Sequence, residues 1–249
     1  MTAEETIVRQ EVVLREDHGP VRVIRLNRPD KHNALNTELT TALLDELLDA
    51  DASDSVRAVV LAGEGRSFCA GADITEFAGL TPDHQDAVVR RAELTARSQL
   101  LPQRLNKPIV SVVWGAALGG GAGLAIGCDM MVVTEDVKFG YPELKHSLVP
   151  AIVMTGLQRQ IGRKLAFEMI SHGKLLGAAD LVRLGLANRC VGRDEALGAG
   201  IEIAAKWSEP SPAAMAATKD LFYRVADLPV DQAMRAGQDV NAIMRGFRG

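Results

Sequence analysis

Three consecutive glycines, Gly119, Gly120 and Gly121, and one carboxylate, Glu143, are the residues of this 249-residue chain best suited to chemistry. The glycines follow a strand-like run at 109–113 and open an apolar helical turn. A second strand-like run, 130–134, leads to a Tyr-Pro-Glu step that carries Glu143. Glycines at the mouth of a helix let backbone N–H groups approach a ligand with no side chain in the way. Such amides stabilise a negatively charged oxygen, and a carboxylate beside them moves a proton. These are the parts of an enolate-forming enzyme. A second small-residue cluster, Phe68-Cys69-Ala70-Gly71-Ala72-Asp73, also follows a strand and precedes a helix. Amides from two such loops can converge on one carbonyl oxygen, and each contributes about 3–4 kcal/mol to a preorganised transition state. The plainer readings are tight helix–strand packing for the glycines and a surface turn for the glutamate.

Other chemistries fit less well. A dinucleotide fingerprint needs a third glycine where Leu124 or Ile126 stands, and no Gly-Lys-Ser/Thr follows to make a phosphate loop. Ser67 and Ser111 lack a nucleophile elbow, and Cys69 has no cationic neighbour in sequence. His18 and His32 read as turn residues, and His84 and His172 as surface residues. His146, three positions beyond Glu143, is within reach of the same site. No metal-ligand spacing is present, so no metal is expected.

The elements that must position these residues follow from patterning. Runs at 12–14 and 21–26 flank His18-Gly19-Pro20 as a hairpin. Leu39, Leu43, Leu47 and Ala50 repeat on one face of a helix over 36–50, with Asn36 as its cap. A strand at 56–61, a loop at 75–82, a long helix at 83–105 and a strand opened by Pro108 follow. The strands are apolar on both faces, which favours an α/β fold. Beyond Pro150 the chain reads as mostly helical, with helices at 162–171 and 178–184, a short strand within 186–191, and helix broken by Pro210, Pro212 and Pro229. A soft boundary near residue 200 divides a core, 1–200, from a helical region, 201–249.

Apolar residues make up 47% of the chain, enough for a large core, and the net charge of −4 argues against a nucleic-acid surface. Arg25, Arg28 and Lys31 still offer a local spot for one small anion. The three cysteines, Cys69, Cys128 and Cys190, form no CxxC pair. The polar N-terminus has no signal-peptide core, and no run suits a membrane helix, so a cytoplasmic protein is expected.

The chain resembles the crotonase superfamily, the enoyl-CoA hydratase/isomerase family, over nearly its whole length. The resemblance is carried by Leu26-Asn27-Arg28-Pro29 with Asn33-Ala34-Leu35, Phe68 through Ile74, Gly115 through Gly121, Cys128-Asp129 and Pro142-Glu143, in family order and spacing. It implies a spiral of ββα units with a helical C-terminal oligomerisation region, assembled as a homotrimer or homohexamer. It implies an acyl-CoA thioester substrate from fatty acid metabolism, no metal and no redox cofactor, with coenzyme A entering only as part of the substrate. By motif position, the amides of Ala70 and Gly120 would hold the thioester oxygen while Glu143 acts as acid/base. Arg28, Lys31, Ala34, Ala72, Asp73, Ile74, Gly119, Gly123, Pro142 and His146 would line the substrate. The loop at 75–82 and the helix after it would line the acyl pocket.

The departures bear on the reaction. Family hydratases carry a first glutamate where this chain has Gly123, and only Glu143 matches the second. One glutamate can take a proton from C2 and return it at C4, so double-bond isomerisation is the favoured expectation. Hydration with a non-standard second group such as His146 is next. Thioester hydrolysis follows, since family hydrolases accept glycine at this place but are longer. A non-catalytic acyl-CoA-binding protein is the rival of a different class. Ser147-Leu148-Val149-Pro150-Ala151 replaces the Gly-rich residues common after the Pro-Glu step, implying a reshaped acyl pocket. The chain stops at Gly249, where members often continue into a closing basic helix.

Overall fold

The computed structural model describes residues 11–245. The readings of the polar N-terminus and of the last residues before Gly249 fall largely outside them. The chain begins with a hairpin, β1 (Val13–His18) and β2 (Val21–Leu26), followed by α1 (Thr37–Ala52) and β3 (Ala58–Gly63). Asn36 caps α1 as its sequence suggests, its side chain accepting the Leu39 amide at 2.9 Å. The loop expected at 75–82 is instead wound into 3-10 turns at Ile74–Gly79 and Pro82–His84. Next come α2 (Gln85–Arg104), β4 (Ile109–Val113), β5 (Ala116–Leu118), α3 (Gly120–Gly127), β6 (Met130–Thr134) and β7 (Lys138–Gly140).

The remaining elements are α4 (Met154–Ile161), α5 (Arg163–His172), β8 (Leu175–Leu176), α6 (Ala178–Arg183) and β9 (Arg189–Val191). Three helices close the described chain: α7 (Ala196–Trp207), α8 (Pro212–Val225) and α9 (Val230–Met244). The six-stranded sheet has the order β1-β2-β3-β4-β6-β9 and is parallel except for the hairpin. A small sheet, β5-β7-β8, stands beside it. β4 and β6 each hand the chain directly to a strand of this small sheet, and helix follows. That is a ββα spiral.

Parallel strands buried on both faces need cover on both faces. On one side β3 and β4 pack Val59, Leu61, Ile109 and Val113 against α1, α2 and α3. On the other, Val60, Val110 and Val112 meet Ala196, Ile203 and Ala204 of α7. The boundary expected near residue 200 therefore lies inside a helix that belongs to the core. The chain leaves the sheet only after Trp207.

A buried polar tie fastens α8 to the body. Lys219 Nζ donates to Asp129 Oδ2 at 2.7 Å and to the carbonyls of Pro102 and Lys107 at 2.7 and 2.8 Å. Tyr223 donates to Asp129 Oδ1 at 2.8 Å, and the Ile109 amide donates to Oδ2 at 2.7 Å. Each charge is partnered and its hydrogen-bonding capacity used, the condition under which a buried pair is tolerated. Asp129 is thus a structural anchor.

Candidate active site

The site forms where the segment after β3 runs beside β5. Cys69 pairs with Ala117 in a parallel bridge, and Leu35 pairs with Ala72 in another. Between these bridges Gly71 adopts φ +99°, and a β-carbon there would stand 2.8 Å from the Leu118 carbonyl. The positive φ and the close approach both require glycine.

Of the two amides expected to hold an oxyanion, one is left without a carbonyl partner and the other is engaged. Gly120 opens α3, so its N–H has no carbonyl one turn back to receive it. The Ala70 N–H instead donates to the His32 carbonyl at 2.9 Å. Ala70 is thereby corrected from oxyanion donor to a brace for the 28–34 segment. Leu35 bonds Gly71 O and Asp73 N across the bridge, which turns the intervening Ala72 amide to the other side. The Ala72 N–H finds no acceptor among the described residues, and its nitrogen lies 3.9 Å from where a Gly120 β-carbon would be. Two unused amides, at the mouth of an eight-residue buried helix, therefore face one locality.

Glu143 begins a 3-10 turn, Glu143–His146, after Pro142. The Leu148 amide donates to its carbonyl at 3.0 Å, fixing the turn. Its side chain lies against Gly119, whose φ of 51° and ψ of −117° only glycine adopts readily. The Glu143 Oε2 atom is buried and has no hydrogen-bond partner among the described residues. Burial pushes the carboxyl above its ordinary value of 4.5; its own backbone amide and His146 oppose this more weakly. Such a group is a stronger base than a free carboxylate. The hydroxyl of Tyr141, two residues back and fully buried, is likewise unpartnered among the described residues.

The other expected site residues separate into three groups. Arg28 and Asp73 are paired at 3.0 Å, and Arg28 also donates to the Ala34 carbonyl at 2.5 Å. Asp73 further accepts from the Thr75 amide and hydroxyl. Their role in the structure is to lock the 28–34 segment to the 70–75 loop rather than to present free charges. Ala72 and Ile74 stand exposed on this loop, and Lys31 is exposed on the neighbouring turn. Gly119 lies against Glu143 and Pro142 directly precedes it, Gly123 lies against Gln99 and Val153, and His146 is exposed and makes no hydrogen bond to Glu143 among the described residues. Cys69 is fully buried and its thiol is pushed up to about 12, so it is no nucleophile.

One residue had no sequence signal. Gln99 of α2 reaches over α3 and donates from Nε2 to the Gly120 carbonyl at 3.2 Å. Its Oε1 fills the space a β-carbon on Gly123 would need. A single glutamine on a long, mostly polar helix gives no hint of this in one dimension. Among the described residues, no three His, Cys, Asp or Glu side chains gather as a metal-ligand set, and no helix is long and apolar enough to cross a membrane.

The chain is similar to known proteins over most of its length. The sequence pattern of the family described as enoyl-CoA hydratase/isomerase matches residues 16–243. The 2,3-dehydroadipyl-CoA hydratase of Escherichia coli (strain K12) is 34% identical over 223 residues, covering 88% of this chain and 80% of its own. The short-chain-enoyl-CoA hydratase of Clostridium acetobutylicum is 33% identical over 232 residues, covering 89% and 85%. The crystal structure of an enoyl-CoA hydratase from Mycobacterium smegmatis superposes with a TM-score of 0.89 at 31% identity, covering 94% of this chain and 91% of that one.

Proposed function

The chain belongs to the enoyl-CoA hydratase/isomerase family, of crotonase fold, and we propose that within it the protein moves the double bond of an enoyl-CoA thioester with Glu143 as sole acid/base. The observation that carries this reading is one half-buried carboxylate, its Oε2 buried and unpartnered among the described residues, beside two unused amides, with no second carboxylate on the first turn of α3. The thioester oxygen is placed between the Ala72 and Gly120 N–H groups. Glu143 removes a proton from C2, the C–H electron pair passes through C1 to the thioester oxygen, and a dienolate forms. Re-formation of the carbonyl delivers electrons to C4, which takes the same proton back. The C3=C4 bond has become C2=C3, and nothing else is consumed.

Each amide donor contributes about 2.7–4 kcal/mol when aimed at developing charge in a dry site. The raised proton affinity of Glu143 suits a group that must both take and return a proton. The 28–34 segment and the 70–74 loop, locked together by Arg28 and Asp73, are assigned to the coenzyme A portion. Assembly as a homotrimer or homohexamer belongs to the same reading. It is supported by α9, which leaves Val230, Met234 and Ile243 exposed at 73%, 65% and 63%.

Hydration is the second reading, favoured by the names of the relatives in Escherichia coli and Clostridium acetobutylicum. The two separate by absorbance of the conjugated enoyl thioester. Mixed with a 3-enoyl-CoA, the protein should produce a rising signal. No rise, together with loss of a 2-enoyl-CoA signal, would replace isomerisation with hydration.

A further inference from the structure

Gln99 lies where the outcome of the reaction can be decided. Glu143 rests on Gly119 and Gln99 rests on Gly123, and these two glycines are joined by the Gly123 N–H to Gly119 O bond at 2.9 Å. The carboxylate and the carboxamide therefore flank a single turn of α3, about 5.4 Å of rise. The carboxamide is held rather than loose. Its nitrogen donates to the carbonyl of Gly120, the residue whose own N–H faces the reacting oxygen, and it also reaches the Ser98 hydroxyl at 3.5 Å. Its oxygen projects over Gly123, where any β-carbon would collide with it, while Val153 closes the other side with its Cβ 3.4 Å from the same point.

We propose that Gln99 is a specificity-determining residue, its carboxamide occupying the place in which a second acid/base side chain, and the water it would activate, must stand. The proposal rests on the reading of Glu143 as sole acid/base. A carboxamide takes up the volume of a carboxylate without its basicity, so water near C3 finds no group to deprotonate it. Addition of water needs that second group. The water O–H bond breaks to protonate it, the O–C3 bond forms, the C2=C3 pair passes through C1 to the thioester oxygen, and as the carbonyl re-forms that pair returns to C2 and takes the proton from protonated Glu143.

The test is a cycle of four proteins: wild type, Gly123→Glu, Gln99→Ala, and the double variant. Melting temperature and rates on 2-enoyl-CoA and 3-enoyl-CoA are measured for each. Gly123→Glu should melt lower than wild type because the new side chain meets Gln99. Gln99→Ala should restore the melting temperature in that background while lowering it in wild type. The double variant should hydrate 2-enoyl-CoA at least ~10²-fold faster than either wild type or Gln99→Ala, the lower bound for one general acid–base group. A restored melting temperature without a gain in hydration would make Gln99 a mere space-filler and overturn the proposal. Equal melting of Gly123→Glu with and without Gln99 would overturn it as well. Failure of wild type to isomerise 3-enoyl-CoA would instead remove the isomerase reading, with the Gln99 assignment still decided by the hydration gain.

Discussion

The carboxylate of Glu143 is seated directly on the backbone of Gly119: a β-carbon on that glycine would stand 2.5 Å from Oε1. The glycine that begins the amide-presenting turn is thus also the floor under the Glu143 carboxylate. Gly119→Ala is expected to destabilise the protein by more than about 1 kcal/mol, because φ is +51° and the new methyl is obstructed. It should also lower kcat more than it changes KM, since the carboxylate moves while the loop at 70–74 does not. Denaturant titration and steady-state kinetics on an enoyl-CoA thioester check both.

Glu143→Gln should reduce turnover by about 10²–10⁴-fold, the usual share of a general acid–base group. In wild type the acid limb of the kcat/KM profile should lie above the ordinary carboxyl value of 4.5, because burial disfavours the charged form. Stability carries the same signature with a definite sign. A carboxyl raised in the folded state contributes stability below its unfolded value, and this is lost as pH rises through the folded value. The glutamine variant should therefore melt higher than wild type at neutral pH, with the difference shrinking as pH falls toward 4.5.

The two loop amides separate by ester substitution. Replacing the Ala72 N–H with an ester oxygen, through the matching hydroxy acid, should lower kcat by about 10²–10³-fold with little loss of stability. The same exchange at Ala70 removes its 2.9 Å bond to the His32 carbonyl. It should cost about 1 kcal/mol of stability and far less activity. Reversed outcomes would return the donor role to Ala70.

Tyr141 carries a fully buried hydroxyl without a partner among the described residues. An unsatisfied buried group of this kind costs about 1–3 kcal/mol. Tyr141→Phe should melt at the same temperature as wild type or higher. A clear loss of stability would mean that the hydroxyl is satisfied in solution.

Much of this arrangement was legible in one dimension, and the exceptions have physical causes. The strands expected at 21–26, 109–113 and 130–134 are found at those bounds. Buried on both faces, they read as unbroken apolar runs. α1 announced itself through a regular apolar face and a cap. The small sheet did not, because strands of two or three residues such as β5, β7 and β8 are too short to show a period. The free amide of Gly120 and the sheltered carboxylate of Glu143 were suggested by residue type. The sequence pointed to the Ala70 amide rather than that of Ala72 because Gly71, at φ +99°, turns the chain between two bridges, and spacing alone does not reveal which amide is left over. Gln99 was invisible because its meaning comes from a glycine 24 positions away, opposite it in space.

Asp129 has a consequence for how the molecule opens. The Ile109 amide, at the head of a central strand, is held by the Asp129 carboxylate that also holds Lys219 and Tyr223. Its exchange with deuterium is therefore governed by more than rupture of the sheet. Detachment of α8 strips two donors from the shared carboxylate, loosening the acceptor that guards this amide while the strand behind it stays paired. Ile109 should exchange faster than its neighbours Val110 and Val112, through a local opening of lower free energy than global unfolding. The amide of one strand thus reports the docking of a helix more than 100 residues further along the chain.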